Sequence, residues 1–134
     1  MEKGVDLKAV DVVVGIILKG GKFLAEKRMD NDTIDPGLVC LPGGHVESEE
    51  TKEEALIREM KEELNIVIRD FKLVKKDFWT ASNGEIQNVH YYIITDYTGN
   101  PICNVAKQLV WLTNIEKLDT KVDRNVMKEV SDGF

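Results

Sequence analysis

The chain of 134 residues is expected to fold as one mixed α/β (α+β) sheet domain spanning residues 1–134. Three observations carry that expectation. Segments rich in β-branched or alternating apolar residues recur between turns containing glycine and asparagine, which is the pattern of strands and hairpins. One long run, Glu50 to Leu64, consists of strong helix formers with no internal Gly or Pro. A second helical pattern closes the chain. Strands around one strong helix, with helix again at the end, make a layered sheet domain.

The elements follow in order. Val10 to Leu18 is continuous and β-branched, as expected of a buried strand. Gly20-Gly21 suits a type I′ hairpin, whose two central residues both need φ > 0, and Lys22 to Arg28 is the weakly alternating return strand. Met29 to Gly37 holds three Asp, one Asn, one Pro and one Gly and reads as a loop. Its Asn31-Asp32-Thr33 sequon is a coincidence of turn residues. Leu38 to Leu41 runs into Pro42-Gly43-Gly44, a tight strand-to-helix turn on the plainest reading. The helix from Glu50 to Leu64 has Ser48 or Thr51 as its cap. Val67 to Thr80 and Ile86 to Tyr97 are strands joined through Asn83-Gly84. Gly99-Asn100-Pro101 breaks the chain, Leu109 to Leu112 is a last short strand, and the final helix lies around Val122 to Val130.

Composition narrows the functional classes. Hydrophobic residues at 43% and charged residues at 31% are globular-domain values. With 18 Lys and Arg against 24 Asp and Glu the net charge is −6, which lacks the basic field that binds nucleic-acid polymers or membrane surfaces. An acidic protein still handles nucleotides when a divalent cation sits between the two negative partners. Val12 to Leu18 is too short to span a bilayer, and no cleavage pattern follows it, so a cytoplasmic protein is expected. Cys40 and Cys103 form no CxxC pair and read as buried free thiols.

The acidity is concentrated. Residues 47 to 63 hold eight Glu against Lys52, Arg58 and Lys61. Glu54 and Arg58 stand at i, i+4 and suit a helix-surface ion pair. Glu59, Glu62 and Glu63 fall within a ~100° sector of the helix, beside the apolar stripe of Leu56, Met60 and Leu64. Three carboxylates that close repel one another unless a counter-charge joins them, and a hard divalent cation supplies one through oxygen ligands. A solvated acidic face is the competing account of the helix alone. Gly43-Gly44 just upstream lets backbone approach a phosphate or offers a carbonyl to a metal.

These residues stand at the spacing of a known signature. Gly44, Glu50, Arg58-Glu59, Met60, Glu62-Glu63 and Ile66 resemble the box of the Nudix hydrolases, which runs here from Gly44 to Ile66. Leu41-Pro42-Gly43-Gly44 resembles the family's approach to that box. Asn65 stands where the pattern has Gly, and Asn is the next best residue for a left-handed helix end. The resemblance implies an α/β/α sandwich around a mixed sheet and metal-dependent hydrolysis of a pyrophosphate bond in a nucleoside diphosphate-linked substrate.

Carried over by position, Glu59, Glu62 and Glu63 would hold Mg²⁺, or Mn²⁺ in its place, with the Gly43 carbonyl as a further ligand. Glu59 is the first candidate for activating the attacking water. Arg58 would pair with Glu50 and hold the carboxylates in place, and Arg28 would meet a substrate phosphate, an exposed strand-end Arg being its plainer reading. Many relatives add a carboxylate beyond the box. No acidic residue lies between Asp96 and Glu116, so Glu85, Asp96 and Glu116 are the candidates. His45 and His90 read as structural or rim residues, and Phe78-Trp79 and Tyr91-Tyr92 as core more than base-stacking aromatics. The substrate markers of ADP-ribose and dinucleoside polyphosphate subgroups are missing, so elimination favours a MutT-like enzyme acting on nucleoside triphosphates. ADP-ribose is the alternative substrate, and a catalytically silent nucleotide-sensing module is the alternative from another class. The partner implied is a small nucleotide, with no nucleic-acid polymer and no membrane. A homodimer is an expectation of the resemblance.

Overall fold

The computed structural model describes residues 9–132. In chain order it contains β1 (Val10–Lys19), β2 (Lys22–Lys27), β3 (Val39–Cys40), β4 (Gly43–His45), α1 (Lys52–Leu64), β5 (Val67–Thr80), β6 (Ile86–Thr98), β7 (Gln108–Leu112), one 3₁₀ turn at Ile115–Lys117 and α2 (Lys121–Asp132). The strands form a mixed sheet ordered β3-β2-β1-β6-β5, with β4 also pairing β1 and β7 pairing β2. β1 and β6 run parallel, with Val10 opposite Gln87 and Ile17 opposite Ile94, and the other pairings are antiparallel.

β1 is rich in β-branched residues because both its faces are covered. Alternation sends Val12, Val14 and Ile16 to one side, where they pack with Phe23, Val89, Tyr91 and the Val122, Val126 and Met127 face of α2. Val13 and Ile17 go to the other, against Leu24, Tyr92, Ile94 and the Ala55, Leu56, Met60 and Leu64 stripe of α1. Each fully buried aliphatic contributes roughly 1.5–3 kcal/mol. Gly15 sits where α1 crosses, and a Cβ there would stand 2.9 Å from Met60 Sδ. The result is the expected α/β/α sandwich. Among the described residues no helix is long and apolar enough to cross a membrane.

The predicted hairpins form: Gly20 and Gly21 take φ of +57° and +80°, and Lys19 pairs with Lys22. Three expectations are corrected. Gly43–His45 is a strand, not a turn, with Val13 opposite Gly44 and Val14 opposite Gly43. Cys40 is only half-buried and Cys103 is exposed, although both are free thiols. Phe78 is 65% exposed, whereas Tyr91 and Tyr92 are core and Trp79 is half-buried. The helix also begins two residues later than expected, because Thr51 caps it. Thr51 Oγ1 accepts from Glu54 N at 3.0 Å, and Glu54 Oε1 accepts from Thr51 N at 2.8 Å.

Candidate active site

The capping box fixes the direction in which α1 leaves β4, and that direction brings Arg58 back over the preceding loop. Arg58 Nε donates to Glu50 Oε2 at 3.0 Å and Nη2 to Glu50 Oε1 at 2.7 Å. Nη1 reaches Glu59 Oε2 at 2.8 Å and Glu62 Oε1 at 3.1 Å, and Nη2 also donates to the His45 carbonyl at 3.0 Å. The structure therefore gathers Glu50, Arg58, Glu59 and Glu62 into one hydrogen-bonded unit. The carboxylates around it hold the guanidinium charged, and Arg58 in turn holds the Glu50 carboxyl below its ordinary range. The expected Arg58–Glu54 surface pair does not form, because Glu54 is spent on the capping box.

Glu59 lies against the Gly44 backbone, where a Cβ would overlap its carboxyl group. Glu63, on the next turn of the same face, lies beside the carboxyl groups of Glu59 and of Glu26 of β2. Burial, then the neighbouring Glu26 and Glu59, push the Glu63 carboxyl well above the usual carboxylate range; burial also raises Glu26, against the pull of Arg28. Sequence reasoning missed Glu26. The signal was there in the phase of β2: Leu24 and Glu26 share the face that α1 covers.

Glu59, Glu63, Gly43 and Gly44 line a cleft of about 360 Å³. Val12, Val14, Val89, Leu41 and Trp79 form an apolar wall within it. Arg28, just past the end of β2, lines the same cleft; its Nε donates to the Ile34 carbonyl at 2.8 Å and it stands 3.6 Å from Asp32. Of the three further carboxylates, Glu85 alone stands beside the cleft, bonded to His45 Nε2 at 2.7 Å and Gln87 Nε2 at 2.9 Å. Asp96 is exposed on β6 opposite Asp70, and Glu116 pairs with Lys128 at 3.3 Å. His90 is buried and bonded to Asp11, a structural place.

The donor set suits a hard divalent cation. Its side chains are carboxylates, a backbone carbonyl lies at Gly43, and Glu63 Oε1 and Glu26 Oε1 are buried without a hydrogen-bond partner. Among the described residues no three His, Cys, Asp or Glu side chains are already gathered as a cage. Arg58 engages Glu59 and Glu62 instead, and Glu62 is 55% exposed.

The chain is similar to known proteins along most of its length. The family model described as the NUDIX domain matches residues 8–128. The CTP pyrophosphohydrolase of Escherichia coli is 32% identical over 112 residues, covering 84% of this chain and 82% of that protein. The 8-oxo-dGTP diphosphatase of Haemophilus influenzae is 29% identical over 108 residues, covering 80% and 78%. The crystal structure of the MutT NUDIX hydrolase from Burkholderia pseudomallei superposes with a TM-score of 0.80 at 25% identity, over 92% of this chain and 98% of that one. Proteins of this family act on small nucleotide substrates and generally use divalent metal ions. With signature box, sheet topology and relatives in agreement, the chain belongs to the Nudix family and is a MutT-like hydrolase of pyrophosphate bonds.

Proposed function

We propose that this hydrolase is a nucleoside triphosphate pyrophosphohydrolase working with Mg²⁺, for which Mn²⁺ substitutes. One observation carries the reading: Glu59, which Arg58 holds, and Glu63 line the same cleft as the apolar side chains Val12, Val14, Leu41, Trp79 and Val89. A triphosphate laid along that cleft has its charged end at the carboxylates and its base against Val12, Val89 and Trp79. The two relatives above act, by name, on CTP and 8-oxo-dGTP.

Glu59, Glu62, Glu63 and the Gly43 carbonyl would hold the divalent ions. Bound there, such ions neutralise phosphate charge and lower the pKa of a water. Arg58, through Glu50, sets where Glu59 and Glu62 stand, and Arg28 meets a substrate phosphate from the cleft wall. Glu59 accepts the proton of the attacking water as its oxygen bonds to phosphorus. The P–O anhydride bond breaks on the opposite side, leaving nucleoside monophosphate and pyrophosphate.

The test is a panel of nucleoside triphosphates, 8-oxo-dGTP and ADP-ribose, with products separated chromatographically in Mg²⁺ and in Mn²⁺. The expected result is monophosphate and pyrophosphate from a triphosphate. Glu62→Gln should lower the rate by on the order of a hundredfold or more. Cleavage of ADP-ribose alone would overturn the triphosphate assignment. Absence of turnover across the panel, with Mn²⁺ still bound, would favour the nucleotide-sensing module.

A further inference from the structure

Glu26 is the most deeply buried acidic side chain in the neighbourhood of the box, 3% exposed next to the last residue of β2. Its strand neighbours are Cys40 on β3 and Leu109 on β7, neither a cation. Its Oε1 has no hydrogen-bond partner, and neither has Oε1 of Glu63, the carboxyl with which it is in contact. A buried carboxylate oxygen left unpaired is costly, and two facing one another more so. Arg28 is the cation whose charge bears on Glu26, and its Nε is committed to the Ile34 carbonyl. The loop packed on the end of α1, through Ile102 N to the Leu64 carbonyl and Asn104 N to the Glu63 carbonyl, contains no acidic residue.

We propose that Glu26 is a ligand of the divalent-ion centre, adding from β2 a carboxylate to a set whose other carboxylates, Glu59, Glu62 and Glu63, come from α1. The inference rests on the metal roles proposed above. The box helix supplies carboxylates from one side only, and β2 is the element that faces Glu63 across the sheet–helix interface. A divalent cation held by Glu26 and Glu63 would give both orphaned oxygens a partner. The competing account is a single proton shared by the two carboxyls, which satisfies the same atoms and leaves Glu26 out of the metal site.

The two accounts differ in Mn²⁺ binding by the intact, substrate-free protein, measured by titration with electron paramagnetic resonance and by the Mn²⁺-induced rise in Tm. The proteins compared are the wild type, Glu26→Gln, Glu26→Met and Glu59→Gln with Glu62→Gln. Expected are wild-type binding, loss in the double variant, and metal-free Tm values of both Glu26 variants no lower than the wild type. Expected too is an Mn²⁺ affinity in the Glu26 variants weaker by on the order of tenfold or more. Should either folded Glu26 variant bind Mn²⁺ with wild-type affinity and stoichiometry, while the double variant does not, the Glu26 inference fails and the box assignment stands. A wild type that binds no Mn²⁺ overturns both.

Discussion

Arg58 and Glu50 are joined by a two-bond fork, Nη2 to Oε1 at 2.7 Å and Nε to Oε2 at 3.0 Å, which ties the loop before α1 to the second turn of the helix. The remaining donor capacity of the same guanidinium goes to Glu59, Glu62 and the His45 carbonyl. One planar cation thus sets the position of two box carboxylates relative to β4. A lysine ammonium is a point charge without that fork.

Arg58→Lys should therefore keep the charge and lose the geometry. kcat is expected to fall by on the order of ten- to a hundredfold, with KM little changed. Glu50→Gln should fall between this variant and the wild type, since it retains one acceptor. The pH dependence has a definite sign. Arg58 lowers the Glu50 carboxyl, so the stability it contributes is present above the unfolded pKa, about 4.3, and is lost as pH falls through the lower folded value. Denaturant unfolding should show wild type and Glu50→Gln converging as the pH is lowered from 7 through that window. A gap that persists or widens in acid would contradict the assignment.

Gly43 and Gly44 are adjacent, yet they should fail in different ways. A Cβ on Gly44 meets the Glu59 carboxyl, the tip of a flexible side chain that swings aside. A Cβ on Gly43 meets the Val13 carbonyl oxygen and Val14 Cα, backbone atoms that cannot yield without parting β4 from β1. Gly44→Ala is expected to keep its Tm and lose most of its kcat. Gly43→Ala is expected to lose on the order of 1–3 kcal/mol of stability, the cost of overpacking. Thermal unfolding and steady-state kinetics on both variants check this, and equal losses of stability would refute it.

The same pair of glycines shows where the sequence was legible and where it was not. Helix α1 could be read because its determinants are local: strong formers, Thr51 with Glu54 as capping box, and an ending residue able to go left-handed. Asn65 does so, at φ +56° and ψ +38°, and its N–H returns to the Lys61 carbonyl at 3.0 Å. The departure from the family's glycine is thus accommodated by the backbone. Strand β4 could not be read, because Gly-Gly carries no strand propensity and the strand exists only through pairing with residues thirty positions earlier. Glu26 was missed for a related reason. Its phase on β2 was visible, but its burial is decided by α1 crossing the sheet, a non-local event. Phe78 erred the other way, since strand aromatics suggest core but β5 is a sheet edge.

Asp123 offers a pH test away from the box. It is buried at the start of α2, where its Oδ1 accepts from the Tyr91 hydroxyl at 2.6 Å and its Oδ2 from Leu41 N at 3.0 Å. Burial raises its pKa against the pull of Tyr91, Leu41 and Thr120, and the charge of Asp35 adds to the rise; the Cys40 thiol also faces it. An acid raised on folding holds its proton more tightly in the native state. Its stabilising contribution is complete below the unfolded pKa, about 3.9, and is lost as pH rises through the higher folded value. Asp123→Asn cannot titrate and sets an amide N–H against one of the two donors, a cost of about 1–3 kcal/mol. Urea unfolding from pH 4 to 7.5 should find the wild type's advantage over Asp123→Asn largest at the acid end and shrinking toward neutrality. An advantage that stays constant, or grows with pH, would mean that the carboxylate is better accommodated in the fold than its burial allows.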